Sequence, residues 1–117
     1  MADEVKIGTT LNLKKGSGGT FFNSSFKGNI DGDASEARIV SVGTSFEKLS
    51  TISDVGSPEY IFIQNLDDTN FITIGTSTDE HFKLKPGEFC VFNTGGSDTY
   101  AKADTAACLV EYIITET

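Results

Sequence analysis

Apolar and polar residues alternate in the first part of the chain, a pattern that is typical of β-strands. The alternation in residues 5–13 predicts a strand with one face in water. Residues 14–19 hold three glycines in four positions and therefore predict a turn. Residues 20–26 are a candidate strand, whereas residues 29–36 have the composition of an exposed loop. We therefore expect residues 1–36 to be rich in loops.

Two short strands are predicted next, at residues 37–42 and 45–49, on either side of a bend at Gly43. Residues 53–58 have loop composition, and their last residue, Pro58, is expected to open the following strand. A proline is tolerated there because the first residue of a strand can lack an N–H donor.

The second half of the chain contains four apolar runs in close succession, at residues 58–75, 82–92, 100–104 and 108–114. Asn, Asp and Pro-Gly turn residues separate them, which predicts consecutive antiparallel strands. Within these runs, residues 60–66 and 109–114 are apolar on both alternating faces, as in central strands that are covered on both sides. A second sheet covers one face of such a strand, so the other face needs a loop, a further layer or another subunit.

No segment longer than about ten residues has a helical period, and the best candidate, residues 103–108, would make one turn. Eight or nine short strands with frequent turn signals predict an all-β fold. We expect an antiparallel β-sandwich, with a jelly roll among its forms, as a single domain over residues 1–117.

The overall charge and the lack of a long apolar run narrow the range of partners. The chain has 117 residues and a net charge of -8, from nine Lys and Arg against 17 Asp and Glu. Phosphate binding requires clustered cations, so we expect no nucleic-acid partner. No run approaches the roughly 18 apolar residues of a membrane span, and the first residues lack a signal-peptide pattern. We therefore expect synthesis in the cytoplasm and no membrane partner.

Two acidic segments are candidates for metal binding or catalysis, and both fit simpler interpretations better. Residues 31–36 gather three carboxylates but lack the glycine and glutamate positions of a calcium-binding EF-hand loop, which favours a solvated loop. Asp67 and Asp68 lie in an Asn/Asp-rich stretch whose side chains are expected to cap a turn through backbone hydrogen bonds.

The remaining candidates also give no catalytic arrangement. His81 is the only histidine, has no partner that the sequence identifies, and is expected in a polar surface loop. Gly16 to Gly19 lack the motif of a phosphate-binding loop. Cys90 and Cys108 are expected as buried reduced thiols in one sheet, with a disulfide as the alternative if their strands are neighbours. We thus expect no catalytic, cofactor or metal site, and no enzyme.

Three phenylalanines, Phe21, Phe22 and Phe26, lie in a segment too polar for an ordinary core strand. Two interpretations are open for them. They could cover the open end of the sandwich, or they could anchor the domain in a neighbouring subunit, where buried aromatic residues supply much of the binding energy.

Three segments of the second half resemble small structural modules of tailed bacteriophages. They are Ile-x-Asn-Leu-Asp-x-Thr-Asn-Phe-x-x-Ile-Gly at residues 63–75, Leu-Lys-Pro-Gly-Glu-Phe at 84–89 and Tyr-Ala-Lys-Ala-Asp-Thr-Ala-Ala at 100–107. The resemblance implies a component of the virion and carries over no functional residue.

The function expected from this resemblance is that of a non-enzymatic virion protein. The first expectation is a head decoration or cement subunit that contacts the major capsid protein, other copies of itself, or both. A tail, neck or fibre component is the alternative position in the particle. A free carbohydrate-binding or other ligand-binding sandwich is the alternative class; it would present Trp or Tyr platforms, and the chain has no Trp.

Overall fold

A computed structural model of the chain describes residues 5–16, 18–28, 35–49 and 58–116, and these residues are organised as strands joined by turns. The strands are β1 (Val5–Lys15), β2 (Gly18–Gly28), β3 (Ser35–Val42), β4 (Glu47–Lys48), β5 (Pro58–Asn65), β6 (Ile72–Gly75), β7 (Glu80–Leu84), β8 (Phe89–Asn93), β9 (Tyr100–Ala103) and β10 (Cys108–Glu116). The described residues contain no helix, so the all-β prediction is confirmed. Nor is any helix among them long and apolar enough to cross a membrane.

The chain divides into two compact units, Met1–Asp31 and Gly32–Thr117. Each unit is defined by its own internal contacts. The expectation of one domain over residues 1–117 therefore stays a prediction.

The first unit is a long antiparallel hairpin of β1 and β2, which pairs Lys6 with Lys27 and Leu11 with Phe22. Gly16, in the connection, has a φ of 61°, a conformation that glycine adopts without a side-chain clash. The strands extend further toward the turn than the sequence predicts, to Lys15 and from Gly18. Both strands predicted for this region, at residues 5–13 and 20–26, are therefore confirmed and are longer than expected, because a continuous ladder pairs glycine, serine and asparagine positions that have low strand propensity.

The second unit is a β-sandwich of two four-stranded antiparallel sheets. Sheet I has the order β3-β10-β5-β8, and sheet II has the order β4-β9-β6-β7. The predicted sandwich is confirmed, and β5 and β10 are central as expected. Between β3 and β10, the connection from β6 to β7 stays within one sheet. All the remaining connections cross from one sheet to the other, as in a jelly roll.

This connectivity corrects two expectations about the chain. The sequence predicts that β5 and β6 pair with each other. This is wrong, because the turn between them joins different sheets. Strand β3 begins at Ser35, so Ser35 and Glu36 belong to a strand rather than to the expected loop. Residues 29–34 and 50–57 lie outside the described part of the chain, including most of the two predicted loops, while Pro58 opens β5 as expected.

The core of the sandwich lies between the inner faces of the two sheets. Ile61 and Ile63 of β5 are fully buried, as are Val110 and Tyr112 of β10. From sheet II, β6 contributes Ile72 and Ile74, and β9 contributes two alanines. Burying one such isoleucine stabilises a fold by about 1.5–3 kcal/mol, so the alternate residues of β5 and β10 account for much of the packing energy.

Candidate functional site

The predicted acidic turn at residues 65–70 is held by its own side chains. The buried amide of Asn65 donates from Nδ2 to the carbonyl oxygens of Asn70 (2.9 Å) and Leu84 (3.1 Å). Its Oδ1 accepts a hydrogen bond from the Asp67 N–H at 2.9 Å. Asn65 thereby ties the end of β5 to the turn and to the end of β7.

Asp67 closes the second half of the same turn. Its Oδ2 accepts hydrogen bonds from the N–H groups of Thr69 (2.9 Å) and Asn70 (2.6 Å). These two donors, that of Asn70 first, hold the pKa of Asp67 below its ordinary value. Asp68 accepts only the Thr69 hydroxyl, at 2.9 Å. The two carboxylates therefore cap a turn, as predicted, but their roles are unequal.

Replacing Asp67 by Ala should lower the melting temperature at neutral pH by several degrees, whereas Asp68→Ala should change it little. Only Asp67 accepts backbone N–H groups that would otherwise lose their partner. Because its pKa is lowered in the fold, the stabilisation is present above the pKa of the unfolded chain and is lost as pH falls through the folded value. Thermal melts of both variants measure the difference between their melting temperatures. They should run from about pH 2 to about pH 7, roughly the range over which carboxylates titrate.

Two results would contradict this interpretation of the turn. One is an equal loss of stability in both variants. The other is a melting temperature of the parent chain that rises with calcium and no longer rises in Asp67→Ala, which would show a metal site.

Of the acidic segment 31–36, only Ser35 and Glu36 are described. Glu36 is buried, accepts a hydrogen bond from the Tyr112 hydroxyl and lies 3.8 Å from Nη1 of Arg38. Burial, and then the hydrogen bond and charge of Glu36, raise the pKa of Tyr112 to about 12. Glu36 thus belongs to the buried framework of sheet I. Across the described ranges, no three His, Cys, Asp or Glu side chains come together to hold a metal ion.

His81 lies in β7 and is exposed, so it is a surface residue as predicted, but on a strand rather than in a loop. The sequence favoured a loop because the residues before His81, Thr76 to Glu80, are all polar. In the structure the turn ends at Asp79, whose carbonyl accepts the Thr76 N–H at 2.9 Å, and β7 begins at Glu80.

Cys90 and Cys108 are free thiols in one sheet, as predicted; Cys108 is buried, whereas Cys90 is only partly buried. Cys90 lies on β8 and Cys108 on β10, and β5 runs between these strands. Two strand spacings amount to roughly 9.6 Å, beyond the roughly 7 Å at which two Cα atoms can be bridged. The disulfide alternative is therefore excluded by the strand order.

Both thiols should react slowly with a thiol reagent such as DTNB in the folded chain and rapidly after denaturation. Burial raises the pKa of Cys90 to about 11. Burial, followed by the charges of Asp67 and Asp104, also raises the pKa of Cys108. The thiolate is the form that reacts with DTNB. Because both pKa values are raised, little thiolate is present at pH 8, a typical assay pH that lies about half a unit below the ordinary thiol pKa. One rapidly reacting thiol in the native chain would contradict this prediction.

The outward side of sheet I is largely apolar, and this is the main candidate for a functional site. Register places Ala37, Ile113, Phe62 and Val91 in one row across its four strands. The next row holds Ile39, Glu111, Gln64 and Phe89. The name apolar outer face is used below for one set of residues, namely Ala37, Ile39, Phe62, Phe89, Val91, Leu109 and Ile113.

Several side chains of the apolar outer face are strongly exposed. The exposed fraction is 58% for Ile39, 65% for Phe89 and 53% for Leu109. The Phe89 ring packs beside Phe62, with 6.1 Å between ring centroids. Glu111 is the one charged residue in the two rows. Exposed apolar patches are more typical of interaction surfaces than of ordinary solvent-facing ones, which makes this face the candidate site.

Sheet II has a different outward side, where lysines cover two aromatic rings that directly precede its strands. Lys83 Nζ lies 4.5 Å from the centre of the Phe71 ring, and Lys102 Nζ lies 4.8 Å from that of Phe46. Lys102 also contacts Glu80 Oε2 at 2.9 Å, which lowers the pKa of Glu80. The apolar surface is thus a property of one side of the sandwich.

A second apolar face lies on the hairpin. Residues that pair across β1 and β2 share a side, which groups Ile7, Leu11, Leu13 and Phe22; we call this set the hairpin face. Phe26 lies on the same side, with its ring over Gly28. Phe21 points to the opposite, polar side with Lys6, Asn12 and Asn23.

The three phenylalanines of β2 are all exposed on the hairpin. Exposed fractions are 66% for Phe21, 53% for Phe22 and 46% for Phe26. Both interpretations of these side chains, covering the sandwich and anchoring in a neighbouring subunit, stay predictions. The sequence could not separate Phe22 from Phe21, because their sides depend on the register of the hairpin.

The comparisons with known proteins identify no relative. No protein-family model matches the chain, and neither a curated protein nor a solved structure is significantly similar to it.

Proposed function

We propose that this protein is a non-enzymatic structural protein of a tailed-phage particle and acts by occupying a position and making contacts. The proposed position is the head, as a decoration or cement subunit on the capsid, with a tail, neck or fibre position as the alternative. Its partners are further copies of the chain, other virion proteins such as the major capsid protein, or both. The observation that carries the proposal is the apolar outer face of sheet I.

The form of this face favours a protein partner over a small ligand. Small-molecule sites are concave and bury most of their ligand, with a few converging polar groups. The apolar outer face is instead the surface of a four-stranded sheet, and it presents isoleucine, leucine and phenylalanine side chains in cross-strand rows. Exposed aliphatic and aromatic side chains of this kind form the centre of protein interfaces.

The virion assignment rests on the resemblance of residues 63–75, 84–89 and 100–107 to phage structural modules. The structure gives these segments framework roles that fit a scaffold: the first contains the Asn65–Asn70 turn, and the second contains the Pro86-Gly87 turn. In that second turn the Gly87 N–H donates to the Asn65 carbonyl at 2.9 Å. The resemblance thus lies in residues that shape the sandwich, and the outer face supplies the contacts.

A lysine placed in the apolar outer face should disrupt the proposed contacts. Ile113→Lys puts a charge in the middle of the face, whereas Thr78→Lys adds the same charge at an exposed turn. Light scattering and co-sedimentation with phage particles should show association of the parent chain. We expect Ile113→Lys to weaken it by about tenfold or more and Thr78→Lys to leave it unchanged. Equal behaviour of both variants, or a parent chain that stays monomeric and binds no particle, would contradict the proposal.

A further inference from the structure

The edge strands of the sandwich differ in how open they are to pairing with another strand. Strand β4 has two residues, β8 has five, and the pairing of β7 with β6 shifts register next to charged residues. Strand β3 is longer, with eight residues, and contains neither proline nor glycine. Short, irregular or charged edges resist pairing with another chain, whereas a long regular edge is open to it. In the described strand order β1 and β2 form a sheet of their own, and sheet I ends at β3.

A hydrogen bond at the centre of sheet I shows which way the backbone groups of β10 point. The Leu66 N–H donates to the Leu109 carbonyl at 2.9 Å, so the backbone groups of Leu109 face β5. Successive residues of an antiparallel strand bond to opposite neighbours. Val110 therefore bonds to β3, where its register partner is Val40.

The same alternation applies along β3. Because the N–H and C=O groups of Val40 point toward β10, those of Ala37, Ile39 and Ser41 point away from it, along the outer edge of the sheet. All three of these residues are exposed and uncharged. Their backbone groups can pair with another strand without disturbing the bonds between β3 and β10.

We propose that β3 pairs antiparallel with β3 of a second copy, about a twofold axis at Ile39. Ile39 then lies opposite Ile39 of the second copy, and Ala37 lies opposite Ser41 of the second copy. This register pairs the outward N–H and C=O groups of all three residues through about six hydrogen bonds. An edge that is its own complement closes the assembly at two copies. The pairing deepens the self-association proposed above and rests on it.

The neighbouring registers are less favourable. Pairing centred on Val40 would need the backbone groups of Gly43. These are already engaged, because the Gly43 N–H donates to Glu47 Oε2 and its carbonyl accepts the Ala103 N–H at 2.7 Å. Pairing centred on Arg38 would set two arginines directly opposite each other, and like charges in that position are destabilising. The proposed register avoids both conflicts.

The pairing would extend the surface that the proposed function uses. Opposite residues of an antiparallel pair lie on one side of the sheet, so the apolar outer faces of the two copies would form one continuous surface. The paired residues 36–42 span roughly 24 Å, and they bury less than the roughly 1,600 Å² of an ordinary stable interface. We therefore expect a weak dimer in solution, strengthened where many copies are held side by side.

Cysteine cross-linking of the full chain tests the pairing. Ile39→Cys should link two copies, because Cα atoms of a hydrogen-bonded antiparallel pair are about 5.5 Å apart, within disulfide range. Phe89→Cys is the matched control on the opposite edge strand, where Phe89 is 65% exposed against 58% for Ile39. With the parent chain as the blank for the native thiols, we expect about tenfold more linked dimer from Ile39→Cys. Equal yields from the two variants would overturn the inference.

A proline at position 41 tests whether backbone hydrogen bonds join the two copies. In the Ile39→Cys chain, Ser41→Pro removes an outward N–H and keeps the bonds to β10, whereas Ser41→Ala keeps both. We expect Ser41→Pro to lower the dimer yield by about tenfold or more and Ser41→Ala to leave it unchanged. Thermal melts check that the proline variant is folded, and Ala37→Pro makes the same test at the other end of the pairing. A dimer that survives proline in a folded chain would show packing between outer faces and overturn the inference.

Failure of this inference differs from failure of the proposed function. If copies do not link through position 39 and the chain still sediments with phage particles, only the inference is overturned. If copies do link and the chain is absent from the particles, the pairing is supported and the virion assignment is contradicted.

Discussion

Replacing Asn65 by Asp should destabilise the folded sandwich by about 3–5 kcal/mol at neutral pH, since it breaks a buried hydrogen-bond network and adds an unpaired charge. The side-chain NH2 of Asn65 donates to the carbonyl oxygens of Asn70 and Leu84. A carboxylate cannot donate to either oxygen and is repelled by both. The side chain is fully buried, so water cannot replace the lost donors.

The pH dependence of this variant follows from the same geometry. The two carbonyl oxygens raise the pKa of an aspartate at position 65 above its unfolded value, so the deficit relative to the parent should be greatest above the folded pKa and should shrink as pH falls through it. Urea unfolding at several pH values measures this. Asn93→Asp is the matched control, because Asn93 is exposed and its Oδ1 only accepts, from the Gly95 N–H at 2.8 Å. Similar losses in both variants would contradict a structural role for the Asn65 amide.

Gly75→Ala should cost about 3 kcal/mol, near the upper end of what overpacking costs in a folded chain. A Cβ atom at position 75 would lie 1.9 Å from the Asp79 carbonyl oxygen, a backbone atom. That oxygen accepts the Thr76 N–H, and the pairing of β6 with β7 shifts register at this point. Accommodating one methyl group therefore requires movement of the turn and of the adjoining strand ends.

Gly87→Ala is the control for this substitution. Gly87 has a φ of 82° but no atom within 4 Å of the Cβ position, so only the backbone conformation opposes a side chain. We expect a loss of about 1 kcal/mol there. Chemical denaturation of the two variants compares crowding with conformational strain, and a smaller loss for Gly75→Ala than for Gly87→Ala would contradict the described turn.

The sequence predicts well which segments form the strands of the sandwich, because strand formation depends on the local pattern of apolar and polar residues. Residues 60–66 and 109–114 are apolar on both faces, and they form or overlap β5 and β10, the central strands of sheet I. The same pattern predicts that the face of these strands that does not pack against the second sheet must be covered by a loop, a further layer or another subunit. The structure locates that face on the outer side of sheet I.

Strand pairing was not accessible in the same way, because it depends on contacts between distant segments. Nothing local distinguishes a turn that joins two strands of one sheet from one that crosses between sheets, as residues 66–71 do. Likewise, Asn65 reads as one of several turn-forming residues. Its importance comes from Leu84, nineteen positions away, whose carbonyl it reaches. The lengths of β1 and β2 were also missed, since their glycines and serines are held by mutual pairing rather than by propensity.

The most direct test of the central claim, that this chain is a structural part of a phage particle, is its copy number in purified virions. Quantitative mass spectrometry of particles from a phage that encodes the chain, compared with the infected-cell lysate, provides it. The account predicts that the chain is retained through purification at a high and constant ratio to the major capsid protein. A chain that is present in the lysate and absent from the particles would contradict it.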